Sequence, residues 1–377
     1  MRILFSSTPA HGHLLPQLPL ARAFRDRGDQ VAVMTAGLFA PVLAPERIEL
    51  LPVGPGADVL FAESARRTGV DAAADPTPEA VAEFFAGTRI DLTADDAMAA
   101  SRAFAPDLIV AEAMDFVGPL VAAALEVPLA TLAFGPAIPA EFTDGISRVA
   151  AVRYADRGLT PVPARWYLDP CPDLLQTPGW DAPQTRVLLR PEPHQGPDPI
   201  GAPAQAPRRS GQTRVLVTFG THFSDPAVLI PILTELRATG AELVVTLGLT
   251  AQAEDFGAAG DGVTFTDFAP LAELLHDVDL VVTHGGAGTT LGSLARGLPL
   301  VVVPQGADQF LQATVVGASG AGIAVQPGPD VPQAVAKAVA TLHADTAYAG
   351  AARAVAQQIA AMPSPTEVAT RLANILH

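Results

Sequence analysis

Val281-Val282-Thr283-His284-Gly285-Gly286-Ala287-Gly288-Thr289-Thr290 is the stretch from which this chain is read. Three β-branched residues make a short strand, and Gly285, Gly286 and Gly288 follow at once. A helical spacing then runs over residues 289–296. Strand, glycine turn and helix form the βα corner of a parallel sheet. Small residues let a backbone come close to a ligand. The first N–H groups of a helix have no partners inside it and point at whatever lies before its N-terminus. With the His284 side chain and the Thr289 and Thr290 hydroxyls, this corner is expected to hold a diphosphate. The plainer alternative is a turn whose glycines serve packing alone. No Gly-Lys-Ser/Thr follows, so the corner is not a P-loop for magnesium–ATP chemistry.

The same alternation recurs on both sides of the corner. Gly297-Leu298-Pro299 ends the helix and residues 300–303 form a strand. Upstream, residues 215–218, 243–246 and 263–265 read as strands, with helices at 230–236 and 271–275. The amino-terminal part carries a second set. Residues 3–7 are an apolar strand and residues 8–13 a loop of small residues. Leu14, Leu18, Leu20, Ala21 and Phe24 then recur at helical spacing before Gly28 and a strand at 31–34. Two further strands, 108–111 and 129–132, flank a helix at 116–125. The expected fold is therefore α/β: two Rossmann-like lobes with parallel sheets and an active-site cleft between them. Ligands in such sheets lie beyond the carboxyl ends of the strands. Residues 161–209 are dense in proline, the stretch 191–197 is not expected to form regular structure, and an interdomain linker is expected at 196–213. The expected domains are 1–195 and 214–361.

A length of 377 residues suits two domains. Asp plus Glu number 39 against 23 Lys plus Arg, a net charge of −16 that excludes the basic surface of a nucleic-acid reader. The single cysteine, Cys171, makes an internal disulfide impossible, and no Cys/His cluster points to zinc. The mean hydropathy of +0.30 comes from Ala, Val and Leu. Its longest apolar stretch, 117–140, is interrupted by Gly118, Pro119, Glu126, Pro128, Gly135 and Pro136, so stable membrane insertion is not expected. No long apolar run precedes His11, and the chain reads as cytoplasmic.

Other candidates lie at carboxyl strand ends. His11 and His13 follow the first strand, and histidine is the natural base near neutral pH. An exposed loop is the alternative for both. Glu112 and Asp115 follow the strand at 108–111; Asp308 and Gln309 follow the strand at 300–303. Each is otherwise a cap or turn residue.

These residues carry a resemblance. His11-Gly12-His13-Leu14-Leu15-Pro16 resembles the N-terminal signature of GT-B, family 1 inverting glycosyltransferases. More narrowly, it is similar to bacterial enzymes that decorate antibiotics. Residues 284–290, then Gly297-Leu298-Pro299, then Pro304-Gln305-Gly306-Ala307-Asp308-Gln309-Phe310, strengthen it, as does Met362-Pro363-Ser364-Pro365-Thr366-Glu367. The resemblance implies that His13 is the general base, oriented by a carboxylate. The family has Asp where this chain has Glu112, which leaves Glu112 and Asp115 as competing partners. It further implies a donor site made by Thr221, Phe268, His284, Gly285, Gly286, Gly288, Thr289, Asp308 and Gln309. Residues 362–377 are similar to a terminal helix that crosses back to the first lobe. Neither a metal nor a bound cofactor is implied.

The resemblance also speaks to substrates. Relatives that use UDP-sugars carry a Glu eight residues after the donor-loop histidine, where it grips the ribose hydroxyls. Here that position is Gly292. A ribose 2′-hydroxyl would lack a charged partner, so a dTDP-sugar donor is expected over a UDP-sugar. A Glu placed there is expected to shift the choice towards UDP if the position faces the ribose. The acceptor is expected to be a large apolar aglycone, a polyketide or an enediyne. Its pocket is expected from residues 61–88 and 134–167, with Phe84, Phe85, Phe142, Tyr154, Trp166 and Tyr167. A homodimer is left open. A nucleotide-sugar epimerase or hydrolase, and an inactive helper protein, are the competing classes.

Overall fold

The computed structural model describes residues 1–72, 76–196, 211–221, 223–249, 251–257 and 262–376. The two sets of apolar runs become two parallel sheets. The first contains β1 (Arg2–Ser6), β2 (Gln30–Thr35), β3 (Glu49–Pro52), β4 (Leu108–Glu112), β5 (Leu129–Leu132), β6 (Trp166–Asp169) and β7 (Arg186–Leu188). Their order is β3-β2-β1-β4-β5-β6-β7, with every neighbouring pair parallel. The second contains β8 (Arg214–Thr218), β9 (Glu242–Thr246), β10 (Val263–Thr266), β11 (Leu280–Thr283), β12 (Leu300–Val302) and β13 (Gly322–Ala324). Its order, β10-β9-β8-β11-β12-β13, repeats the first. In each sheet the chain reverses its direction of travel at a central pair, β1 with β4 and β8 with β11. Doubly wound sheets bind ligands at that point.

Alternation along β1 shows why the strands are apolar throughout. Ile3 and Phe5 join one buried cluster with Leu14, Phe24 and Leu168, while Leu4 joins another with Ile109, Val117 and Tyr154. Both faces of the sheet are covered, so neither tolerates polar residues. In the second sheet Val215, Val217, Val245, Val282 and Val301 share one cluster with Leu229, Ile232 and Val335.

The chain divides into two compact units. Unit 1 comprises Met1–Pro170, Pro178–Arg190 and Pro363–His377; unit 2 comprises Cys171–Thr177 and Pro191–Met362. The expected boundary at 195 differs from this division, because 171–177 and 191–195 fall in unit 2. Most of the expected linker, 197–210, lies outside the described residues. The helix Pro365–Leu376 belongs to unit 1, where Val368, Ala369 and Leu372 are buried with Leu18 and Leu20.

Two local features go beyond what the sequence marked. The proline-dense segment holds two strands, β6 and β7. Its prolines, such as Pro163, Pro170 and Pro183, flank these strands and remove no ladder N–H from them. The expected loop at 8–13 is already helical from His11: the Ala10 carbonyl accepts the His13 and Leu14 N–H groups, each at 3.0 Å. No helix among the described residues is long and apolar enough to cross a membrane.

Candidate active site

In unit 1 the central strand pair brings His13 and Glu112 together. His13 stands in the helical turn after β1, Glu112 ends β4, and the strands are in register with Ser6 opposite Ala111. Nδ1 of His13 lies 3.2 Å from Oε1 of Glu112, and the side chains are 20% and 1% exposed, so the imidazole is reachable and its partner is not. The Glu112 carboxylate also accepts the Thr8 N–H at 3.2 Å and the Met114 N–H at 2.7 Å. Burial alone would raise its pKa. His13, Thr8 and the Met114 N–H outweigh that, so the carboxyl sits below its usual range and stays ionised. An anion on Nδ1 favours the tautomer protonated there, which makes Nε2 the basic nitrogen.

Asp115 is engaged elsewhere. It accepts the Ser6 hydroxyl and the Gly118 N–H, the latter at 3.0 Å, and its other oxygen lies 3.5 Å from Arg89. Gly118 is required there: a Cβ would lie 2.7 Å from the Ser6 Cβ. His11 packs edge-on against Phe39, with ring centroids 5.0 Å apart. The His13 ring has Phe85 at 5.8 Å and Phe134 at 5.4 Å. Of the expected acceptor aromatics, Phe85 is the one beside His13. Phe84 is buried and stacked on Phe61 at 4.1 Å. Tyr154 and Trp166 are core residues, Tyr167 meets Trp180 at 5.8 Å, and Phe142 is exposed.

Unit 2 repeats the arrangement at β8 and β11. His284 follows β11 directly and is 7% exposed. A Cβ on Gly220 would lie 2.7 Å from its Cε1, and one on Gly286 would lie 2.7 Å from its Nε2. The imidazole thus fits between two backbones that must be glycine. Phe219 and Phe223 lie stacked beside it at 6.2 and 5.4 Å. Burial pushes its pKa down to about 4, which the Thr218 backbone offsets only in part, so the ring is neutral at pH 7.

The helix Ala287–Ala295 then begins at Gly286 with no side-chain cap. Gly285, at φ +95°, would place a Cβ 2.7 Å from Val302, so packing demands it; Gly288 is exposed, with open space where a Cβ would stand. The packing alternative therefore accounts for Gly285 and Gly286 but not for Gly288. Thr289 is half-buried, Thr290 fully buried. Thr221 is half-buried beside Gly220, and Phe268 stands exposed on the loop after β10.

Asp308 is half-buried at the start of the helix Gln309–Ser319. Gln309 follows it as the first residue of that helix. It is buried, and its Oε1 accepts the Gln305 and Gly306 N–H groups at 2.7 and 3.1 Å. A Cβ at 292 would lie 2.8 Å from Leu271 Cδ2 and 3.1 Å from Pro193 Cβ, so a side chain there requires Leu271 and Pro193 to give way. Asp277-Val278-Asp279 has an Asp-x-Asp spacing but precedes β11, at the end of the strand away from His284. Both carboxylates engage Arg214, each at 2.9 Å. Sequence reasoning missed Thr8 and Arg89, which are remote in sequence from the residues they serve, while Phe134 lies in the expected acceptor stretch 134–167; only the topology unites them.

Paired doubly wound sheets, each with polar groups at its central strands, define a chain of the GT-B class. The protein belongs to the erythromycin biosynthesis protein CIII-like family, matching its N-terminal domain over residues 22–220 and its C-terminal domain over 231–375. It is thus an inverting, nucleotide-sugar-dependent glycosyltransferase of the natural-product type. It is 32% identical over 389 residues to the elloramycin glycosyltransferase ElmGT of Streptomyces olivaceus, covering 99% of this chain and 97% of that one. Its identity to L-demethylnoviosyl transferase of Streptomyces niveus is 32% over 402 residues, covering 99% and 98%. Among solved structures, the Streptomyces sp. SF2575 glycosyltransferase SsfS6, complexed with thymidine diphosphate, matches with a TM-score of 0.82 at 27% identity over 99% of both chains.

Proposed function

We propose that this protein transfers a deoxysugar from a dTDP-sugar to a hydroxyl of an apolar aglycone, with His13 as base. The contact between His13 Nδ1 and the buried Glu112 carboxylate carries this reading. Nε2 takes the acceptor O–H proton as the oxygen attacks the anomeric carbon. The bond from that carbon to the diphosphate oxygen breaks, and its electron pair leaves with the diphosphate. Glu112 holds the ring and stabilises the imidazolium that forms. In unit 2, His284, Thr289 and the open helix N-terminus at Gly288 receive the growing charge. Thr221, Phe268 and Asp308 complete the donor site, and Gln309 braces the loop that carries Asp308.

Two observations support dTDP. A glycosyltransferase similar over its whole length was solved with thymidine diphosphate. Gly292, covered by Leu271 and Pro193, offers no carboxylate to a 2′-hydroxyl. Phe85 and Phe134 beside His13 suit an apolar acceptor of the polyketide or enediyne kind. The test offers one sugar on dTDP and on UDP to the full chain with a panel of polycyclic and macrocyclic aglycones. Products are read by intact mass and NMR linkage. A higher kcat/KM with dTDP is expected; equal or greater efficiency with UDP rejects the donor assignment. His13→Ala is expected to bind thymidine diphosphate as the parent does and to lose at least about a hundredfold in turnover. Parental turnover in that variant rejects the base.

A further inference from the structure

Three consecutive residues after the core of β1 are each held by a different buried charged side chain. The Ser6 hydroxyl donates to Asp115, the Ser7 carbonyl accepts from Arg89 Nη2 at 2.9 Å, and the Thr8 N–H donates to Glu112 at 3.2 Å. Arg89 and Asp115 are themselves 3.5 Å apart, with side chains 1% and 0% exposed. Arg89 also donates to Thr93 at 3.3 Å, while its Nε has no hydrogen-bond partner among the described residues. Buried ion pairs roughly break even with apolar packing, and an unmet N–H worsens the balance. Stability is therefore a weak reason for an arginine here, and the transfer described above does not use it.

We infer that Arg89 and Asp115 form a positioning pair, which fixes the turn that presents His13 and sets how readily His13 takes a proton. This rests on the reading of His13 as base. The field of Arg89 reaches Glu112 as well as Asp115. Burial raises Asp115 and the Glu112 charge adds to this, while Arg89 opposes both. The titratable groups gathered at the turn are Glu112 from β4, Asp115 after it, Arg89 from the helix Arg89–Asp91 and His11 on the turn itself. Tyr154, from the helix Ala140–Ala155, donates its hydroxyl to the Phe116 carbonyl and stays neutral, since burial raises its pKa. Removing the cation leaves two buried carboxylates less opposed and favours the imidazolium. Removing the Asp115 charge has the opposite effect.

The experiment follows the His13 ring carbon by NMR during pH titration of the full chain, with its signal assigned by loss in His13→Gln. Arg89→Met is expected to raise the midpoint by roughly half a unit and Asp115→Asn to lower it by a similar amount. The double variant is expected to return near the parent. Arg89→Lys keeps the charge but loses the fork, so it is expected to hold the midpoint, lower kcat about tenfold and leave the donor KM unchanged. A purely structural role would not move the midpoint in opposite directions. Unmoved midpoints, or shifts of one sign, overturn the inference. If Arg89→Met does not fold, Asp115→Asn decides alone, and an unmoved or raised midpoint sinks the pair. The titration needs no substrate, so its failure is distinct from that of the base, which only surviving turnover in His13→Ala would show.

Discussion

His13 and His284 are the same side chain in two different media. One keeps an edge in water and a carboxylate on Nδ1; the other is enclosed by Gly220, Gly286 and two phenyl rings. The enclosure has a consequence for stability. With a folded pKa of about 4 against 6.5 when exposed, His284 refuses a proton that the unfolded chain accepts. Between those values the unfolded state binds more protons, so stability rises with pH there. It is lost as pH falls from about 6.5 towards 4. The loss by pH 4.5 is roughly 2–3 kcal/mol from this residue. Denaturant unfolding at pH 7.5 and 4.5 checks it: the parent is expected to lose that much more than His284→Gln, and parallel losses refute it. Both histidines were legible in the sequence because each lies beyond the carboxyl end of a strand. Their media were not, since Gly220, Phe223 and Glu112 lie far away along the chain.

Among the elements, wholly apolar runs were legible and mixed short ones were not. β4 is buried at all five residues and announced itself, as did the all-apolar β12, whereas β7 begins with Arg186 and β13 with Gly322, which leaves two apolar residues in each, too few for a period to show. The turn Glu83–Thr88 was invisible for another reason. It is π-helical, and its extra residue per turn shifts the register of side chains, so that Phe84 enters the core while Phe85 meets His13. The helix Pro365–Leu376 is ordinary by comparison: its buried positions follow a helical period. Leu372 is fully buried in the unit 1 core. Leu372→Ala is expected to cost about 2–5 kcal/mol, measured by denaturant unfolding. A cost within error of zero would mean that the helix is not integral to that core. Turnover is expected to survive in the variant where it folds, because Leu372 belongs to the buried cluster with Leu18 and Leu20 and not to the polar group around Glu112.

For the molecule as a whole, one rule places both candidate sites. Each sheet opens at its central pair, so groups after β1 and β4 meet, as do groups after β8 and β11. The strand–turn–helix pattern made that rule available before any coordinates. What it left out is the composition of the units, since unit 1 takes three separate segments of chain and unit 2 takes two. Sequence patterns report neighbours along the chain, and these joins depend on packing between distant segments. The third segment of unit 1 bears on how the protein is made. Val368, Ala369 and Leu372 cover Leu18 and Leu20, yet the ribosome reaches them only after the whole of Pro191–Met362. At about 5–20 residues per second, the first unit waits on the order of ten to a few tens of seconds with that flank bare. During that interval the nascent chain shows apolar surface that the finished protein hides, and a chaperone or protease can act on it before the last helix emerges.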